Sequence, residues 1–153
     1  MKLNLSIIGL GYVGLPLLIK LNKFYRVNGF DKDNKKINSI KKKYKHLSVS
    51  SNIELIKESN VYIIAVPTPI FKNTKPNLSL LKKVTKDISK FLSIGDIVIY
   101  ESTVYPGTTE EICVPIIEKF SKLKFNKEFY VGYSPERINP GDKTHNLSNT
   151  IKI

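Results

Sequence analysis

The sequence contains one cysteine and two histidines among its 153 residues. The single cysteine, Cys113, excludes an internal disulfide framework and a metal site built from several cysteines, which favours a cytoplasmic protein. Its neighbours Ile112 and Val114 predict a buried thiol, because a reactive thiolate needs an open, electropositive site. His46 and His145 have no partner at the spacing of metal ligands, so we expect no metal site.

A long hydrophobic run is also missing. The longest uncharged apolar stretch near the start, Leu5 to Ile19, is interrupted by three glycines and by Pro16. It is too short to span a membrane, and it has no small-residue cleavage site of a secretory signal. We therefore expect a soluble protein without a membrane partner.

Acidic residues are scarce, at 13 against 25 basic residues, and the formal net charge is +12. Such a charge raises the question of a nucleic-acid partner. However, only Arg26 and Arg137 are arginines, and the densest lysine clusters, at 31–45 and 122–127, lie in separate segments. They lack an arrangement of aromatic side chains that stack on bases and of arginines that read base edges, so we expect no nucleic-acid partner.

Short β-prone runs alternate with amphipathic segments along the chain. Strands are predicted at 3–8, 26–31, 61–66, 96–103 and 128–133, helices at 15–24, 34–43, 53–59 and about 79–92, and a turn followed by a helix within 106–120. Asn77 or Ser79 caps the helix that ends near Leu92, and Thr108 with Glu111 predicts a capping box. The order predicts an α/β fold: a Rossmann-like, doubly wound parallel sheet in three α/β/α layers.

Ligands of such sheets bind at the carboxyl ends of the strands, near the point where the strand order reverses. Polar or glycine-containing loops follow the predicted strands at Gly9, Asp31, 67–69, 101–103 and 134–136. We therefore expect these loops to converge on one edge of the sheet.

The motif "GLGYVG" at 9–14 follows a strand and precedes a helix. Gly9 would make the turn, Gly11 would let a pyrophosphate contact the backbone, and Gly14 would let helix and strand pack closely. Glycines also serve any tight turn between a strand and a helix, which is the alternative. Asp31 lies twenty residues after Gly11, where a dinucleotide-binding motif is expected to have an acidic residue. It therefore supports the interpretation of the turn as a pyrophosphate site.

Asp31 would accept hydrogen bonds from both hydroxyls of the adenosine ribose and repel a 2′-phosphate, which favours NAD over NADP. The nearby lysines at 32, 35 and 36 weaken that preference, since a cation tolerates the extra phosphate. The alternative is an ordinary solvated aspartate.

Three other side chains carry two interpretations each. The Thr68 hydroxyl contacts the cofactor or belongs to a plain loop. Thr103 orients a water or a carboxamide, or forms a turn of its own backbone. Glu136 acts as a general base near the nicotinamide, or forms an ion pair with Arg137 or a lysine.

The segments "IIGLGYVGLPLL", "AVPTPI", "ESTVYPGTTEE" and "VGYSPERINPGD" resemble the N-terminal NAD-binding domain of the UDP-glucose/GDP-mannose dehydrogenases, most closely the branch acting on UDP-N-acetylhexosamines. The resemblance implies an NAD-dependent oxidation of a sugar C6 alcohol to a carboxylate, by two hydride transfers, in surface polysaccharide synthesis. It implies catalytic roles for Thr103 and Glu136. The residues "RIN" after Glu136 depart from the pattern of glucose-type members, which suggests that Arg137, Ile138 and Asn139 face the nucleotide sugar. The cofactor-binding residues that the resemblance implies are Gly9, Gly11, Tyr12, Val13, Gly14, Asp31, Val66, Pro67, Thr68, Ser102 and Thr103.

In that family the nucleophilic cysteine, the central helix of the dimer and the UDP-sugar domain follow the cofactor domain. All lie beyond Ile153, so we expect residues 1–153 to form the NAD-binding domain alone and to bind NAD without turnover, with monomer and oligomer both left open. The alternatives are the Rossmann domain of a UDP-glucose or GDP-mannose dehydrogenase, that of another dehydrogenase or epimerase, and a stand-alone nucleotide-binding module. The resemblance leaves the hexosamine epimer open.

Overall fold

Strands and helices alternate along the chain in the predicted manner. The computed structural model describes residues 3–70 and 76–134. The strands are β1 (Asn4–Ile8), β2 (Arg26–Phe30), β3 (Ser48–Ser50), β4 (Val61–Ile64), β5 (Asp96–Tyr100) and β6 (Phe129–Tyr133). The α-helices are α1 (Gly14–Leu21), α2 (Asn34–Lys43), α3 (Ser79–Ser89) and α4 (Val114–Ser121), with a 3-10 turn at Ile53–Ile56 and a π-helical segment at Thr108–Cys113.

The strands form one sheet in the order β3-β2-β1-β4-β5-β6, and every neighbouring pair is parallel. The chain moves outward from β1 to β3 and then returns to place β4 on the other side of β1. This reversal makes the sheet doubly wound, and it places the topological switch point between β1 and β4. The predicted fold class is confirmed.

Both faces of the central strands are buried, because successive side chains of a strand point to opposite faces. On β1, Ile7 packs into the cluster that contains Leu18 of α1 and Ile37 of α2. Its neighbour Ile8 packs into the opposite cluster, together with residues of α3 and α4 such as Ile88. The helices therefore cover the sheet from both sides, which gives the three predicted layers.

One strand is not predicted from the sequence. No strand is predicted between residues 43 and 53, whereas Ser48–Ser50 forms β3 and pairs with β2. Only Val49 of this strand is buried, and the Ser48 hydroxyl donates a hydrogen bond to Asn28 Oδ1 at 2.8 Å. A short strand at the sheet edge needs a single inward apolar residue, so periodicity does not reveal it.

Within 106–120, where a turn and a helix are predicted, a π-helical segment at Thr108–Cys113 precedes α4, and the predicted capping box is wrong. The Thr108 hydroxyl donates to the Tyr105 carbonyl at 2.7 Å, and the Glu111 N–H donates to the Gly107 carbonyl at 2.8 Å. Pro115 lacks an N–H and so cannot continue the α-helical hydrogen-bond pattern from the preceding turn. The π-helical segment gives way to α4 immediately before this proline.

The ends of α1 and α3 also differ from the prediction. Helix α1 ends at Leu21, and the residues predicted to continue it form a turn in which Phe24 is 72% exposed. Helix α3 ends at Ser89, and neither predicted residue is its N-cap: that position is Leu78, which makes no side-chain cap, and Asn77 Oδ1 accepts the Ser79 N–H at 3.0 Å from one residue earlier. Within residues 3–70 and 76–134, no helix has the length and apolar character needed to cross a membrane.

Candidate functional site

The first residues after five strands are held by the sheet itself at its carboxyl edge. The N–H groups of Gly9 and Asp31 donate to the carbonyls of Phe30 and Ser50, at 2.8 and 3.3 Å. The remaining three amides extend the ladder in the same way: Ala65 donates to Ile8, Glu101 to Ile64 and Ser134 to Tyr100, at 2.8, 2.8 and 2.9 Å. The loops therefore leave the sheet side by side, as the sequence predicts.

Four of these loops enclose a cleft of about 380 Å³ at the switch point. Its volume falls within the range of small-molecule sites. The residues that line it come from the turn after β1, from the ends of β2, β4 and β5, and from the first turn of α2. They are Gly9, Gly11, Tyr12, Val13, Asp31, Lys36, Ala65, Val66, Pro67, Thr68, Pro69, Glu101, Ser102 and Thr103.

The glycine-rich turn after β1 requires glycine at two positions. Gly9 has φ +95°, and a Cβ there would lie 2.7 Å from the Ala65 carbonyl oxygen. A Cβ on Gly14 would lie 1.9 Å from the Gly9 carbonyl oxygen. Gly14 does not line the cleft, and its position against Gly9 is the close packing predicted for it.

Gly11 differs from both, because a Cβ there would meet no protein atom within 4 Å. It faces the open cleft just before α1, whose N-terminal amides and dipole favour a negatively charged group. The turn thus leaves space for a ligand against its backbone at Gly11, which fits the diphosphate of a dinucleotide.

Asp31 is buried at the edge of the cleft and is not an ordinary solvated aspartate. Its Oδ2 accepts hydrogen bonds from the Leu10 N–H at 3.0 Å and from Lys36 Nζ at 2.6 Å, and its Oδ1 accepts the Asp33 N–H at 3.0 Å. Burial by itself raises the pKa of the Asp31 carboxyl. The hydrogen bonds and the charge of Lys36 outweigh burial, so that the pKa lies below its ordinary value. The carboxylate joins the glycine turn to the start of α2.

The loops after β4 and β5 are tied together. The buried Ser102 hydroxyl donates to the Val66 carbonyl at 2.6 Å, and the Thr68 hydroxyl donates to the Thr103 carbonyl. The Thr68 hydroxyl thus joins the two loops, and Thr68 also lines the cleft. The Thr103 side chain is exposed to the cleft, at the end remote from Asp31.

Four residues that line the cleft are absent from the predicted site: Lys36, Ala65, Pro69 and Glu101. Lys36 is five residues after Asp31, and in the sequence it is one of several neighbouring lysines that nothing distinguishes. Glu101 belongs to a loop predicted to reach this edge. Its place as the first residue after a strand, beside Ser102 and Thr103, is the signal that could have singled it out.

Four predicted site residues lie outside the described residues: Glu136, Arg137, Ile138 and Asn139. Cys113 is described and is fully buried, and burial raises the pKa of its thiol, in agreement with the predicted inert cysteine. The described residues contain no group of three or more histidine, cysteine, aspartate or glutamate side chains placed to hold a metal ion.

Comparison with known proteins identifies the family of this chain. The model for the NAD-binding domain of the UDP-glucose/GDP-mannose dehydrogenase family matches residues 40–153. The chain belongs to the UDP-glucose/GDP-mannose dehydrogenase family. The matched domain binds NAD, which confirms both the predicted cofactor and the predicted family.

Two similar curated members of this family are UDP-N-acetyl-D-glucosamine 6-dehydrogenases. The protein of Salmonella typhi is 49% identical and that of Pseudomonas aeruginosa 47% identical, each over 99% of this chain and 39% of the relative. The chain thus spans about two-fifths of the length of these relatives, and the match includes the glycine turn that precedes residue 40.

Solved structures of the family share the fold. The UDP-D-ManNAc dehydrogenase of Pyrococcus horikoshii superposes with a TM-score of 0.81 at 35% identity, over 91% of this chain and 37% of that one. A ternary complex of GDP-mannose dehydrogenase from Pseudomonas aeruginosa also gives a TM-score of 0.81, at 28% identity, over 88% of this chain and 36% of that one.

Proposed function

We propose that the chain is the NAD-binding domain of a dehydrogenase that oxidises the C6 alcohol of a UDP-N-acetylhexosamine to a carboxylate. The observation that carries the proposal is the cleft at the switch point, in which the open backbone at Gly11 and the buried carboxylate of Asp31 follow neighbouring strands. The substrate class is supported by the two UDP-N-acetyl-D-glucosamine 6-dehydrogenases that are 47% and 49% identical to this chain.

Different residues of the cleft bind different parts of NAD. The backbone of the glycine turn, with Tyr12 and Val13, holds the diphosphate near the N-terminus of α1. Asp31 accepts hydrogen bonds from the adenosine ribose. The loops after β4 and β5, with Val66, Pro67, Thr68, Ser102 and Thr103, line the half of the cleft toward the nicotinamide.

When bound, NAD supplies the hydride acceptor for the two oxidation steps. Thr103, at the end of the cleft remote from Asp31, orients a water or the nicotinamide carboxamide. Glu136 is the proposed general base, and Arg137, Ile138 and Asn139 are proposed to contact the nucleotide sugar. These four residues are assigned from the family motif that follows β6.

Residues 1–153 are proposed to bind NAD without completing the oxidation, because the reaction of the family also needs a cysteine nucleophile, and Cys113 is buried away from the cleft. The test is calorimetric titration of the chain with NAD and NADP, together with a search for NADH absorbance in the presence of UDP-N-acetylglucosamine. Binding of NAD in preference to NADP, without NADH production, is the expected result. Sustained production of NADH would contradict the proposed inactivity, and absence of NAD binding would contradict the proposed function.

The second candidate substrate is a nucleotide hexose without the acetamido group. It is favoured by the superposition on GDP-mannose dehydrogenase, at a lower identity of 28%. Joining the chain to the C-terminal part of a relative and assaying it with UDP-N-acetylglucosamine, UDP-glucose and GDP-mannose would separate the two candidates.

A further inference from the structure

The loops after β4 and β5 are joined by two side-chain hydroxyl groups, one from each loop. The Ser102 hydroxyl donates to the Val66 carbonyl at 2.6 Å, and the Thr68 hydroxyl donates to the Thr103 carbonyl. Ser102 and Thr103 follow β5, whereas Val66 and Thr68 follow β4. Each loop therefore supplies one donor and one acceptor, and the two bonds are reciprocal.

The two bonds continue the connection between β4 and β5 past the end of the strands. The Glu101 N–H donates to the Ile64 carbonyl at 2.8 Å and so extends the ladder of backbone hydrogen bonds by one step. The loop after β4 has prolines at 67 and 69, which have no N–H to donate. Side-chain hydroxyls thus supply donors in a stretch where the backbone is short of them.

Ser102 is built into the wall of the cleft and is only 4% exposed. A serine hydroxyl has a single hydrogen, and that of Ser102 is donated to the Val66 carbonyl, so it is not available to a ligand. The next residue, Thr103, is exposed to the cleft. The Ser102 bond fixes the chain just before Thr103, and the Thr68 bond fixes the carbonyl of Thr103 itself.

We propose that Ser102 is a positioning residue: its bond to Val66, together with the reciprocal bond from Thr68, holds Thr103 in place for the nicotinamide riboside half of NAD. This inference rests on the proposed NAD-binding function. Without these bonds the two loops have more arrangements available, and the apparent affinity falls with the fraction of chains in the binding arrangement. The adenosine and the diphosphate, which lie beside Asp31 and the glycine turn, do not depend on the two bonds.

The test compares the binding of NAD with that of ADP, which has the adenosine and the diphosphate but no nicotinamide riboside. Ser102→Ala removes the hydroxyl. The matched control is Ser89→Ala, because Ser89 is 1% exposed, donates to the Thr85 carbonyl at 2.6 Å and does not line the cleft. Isothermal titration calorimetry on the chain of 153 residues gives each dissociation constant, and urea denaturation gives the stability of each variant.

Ser102→Ala is expected to weaken NAD binding about fivefold, the factor that one hydrogen bond contributes, and to leave ADP binding within about twofold of the wild type. Ser89→Ala should lower stability by a similar amount and leave both affinities unchanged. Equal losses for NAD and ADP, no loss for NAD, or the same NAD loss in Ser89→Ala overturns the inference while NAD binding itself stands. Failure of the wild type to bind NAD and ADP overturns the proposed function as well.

The reciprocal bond gives a second test, which applies even if Ser102→Ala fails to fold, because Thr68 is only partly buried. Thr68→Val removes the hydroxyl and nearly keeps the shape of the side chain, whereas Thr68→Ser keeps the hydroxyl. Thr68→Val should lose affinity for NAD but not for ADP, and Thr68→Ser should bind NAD within about twofold of the wild type. The inference is wrong if Thr68→Val binds NAD normally, or if Thr68→Ser binds it as weakly as Thr68→Val.

Discussion

Substituting Gly11 by alanine should separate cofactor binding from folding. A Cβ on Gly11 would meet no protein atom within 4 Å, and the φ of this residue is not positive. The substitution therefore causes no steric clash in the folded protein. Alanine also restricts the unfolded chain more than glycine does, which stabilises the protein by about 0.5 kcal/mol. The added methyl group does, however, occupy the space that the diphosphate needs against the backbone.

The size of the binding defect follows from the contact that is lost. A hydrogen bond from a backbone amide to a charged group contributes about 2 kcal/mol. Losing one such bond to the diphosphate raises the dissociation constant for NAD about 30-fold, since each 1.4 kcal/mol corresponds to about tenfold. Isothermal titration calorimetry measures this constant, and urea denaturation followed by circular dichroism measures the free energy of unfolding.

Gly14→Ala is the matched comparison. Its Cβ would lie 1.9 Å from the Gly9 carbonyl oxygen, and backbone on both sides leaves neither group free to move. We expect a loss of about 3 kcal/mol or more in the free energy of unfolding. The reasoning is refuted if Gly11→Ala binds NAD as tightly as the wild type, or if it unfolds as readily as Gly14→Ala.

Three further predictions concern buried polar groups. The pKa of Asp31 is lower in the folded chain than in the unfolded chain, so the ionised carboxylate stabilises the fold above about pH 4, and this stabilisation is lost as the pH falls through the lowered pKa. Urea denaturation across this range should show a falling free energy of unfolding, and the fall should be smaller in Asp31→Asn. Burial raises the pKa of Asp96, so its ionised form is costly: Asp96→Asn should raise the free energy of unfolding at pH 7, and the gain should disappear in acid, where the wild-type carboxyl is protonated. The Tyr62 hydroxyl is buried without a hydrogen-bond partner in the described part of the chain, whereas the Tyr100 hydroxyl bonds Thr85 at 3.0 Å. Tyr62→Phe should therefore leave stability unchanged or raise it by up to about 1 kcal/mol, and Tyr100→Phe should lower it by about 1 kcal/mol; equal effects in urea denaturation would contradict this.

The parts of the site that could be predicted are those that depend on a short stretch of chain. The glycine turn is recognisable because its three glycines, the preceding strand and the following helix lie within about twenty residues. Asp31 is recognisable for a similar reason, since it ends the next strand. Lys36 and Glu101 are not predicted as site residues. The place of Glu101 depends on pairing with a distant strand, and that of Lys36 depends on which face of its helix turns toward Asp31.

The sequence by itself determined the positions of five of the six described strands and the order of the α-helices between them, because burial on both faces of a strand and on one face of a helix leaves a local pattern. It also placed glycine where the chain turns most tightly. Only the tertiary structure decided that β3 joins the edge of the sheet, that Asp31 holds the Leu10 amide and Lys36 together, and that a second carboxylate faces the far end of the cleft. These features arise from pairing between separate segments, and the energy of such pairing depends on where the folded chain brings each group rather than on its neighbours along the chain.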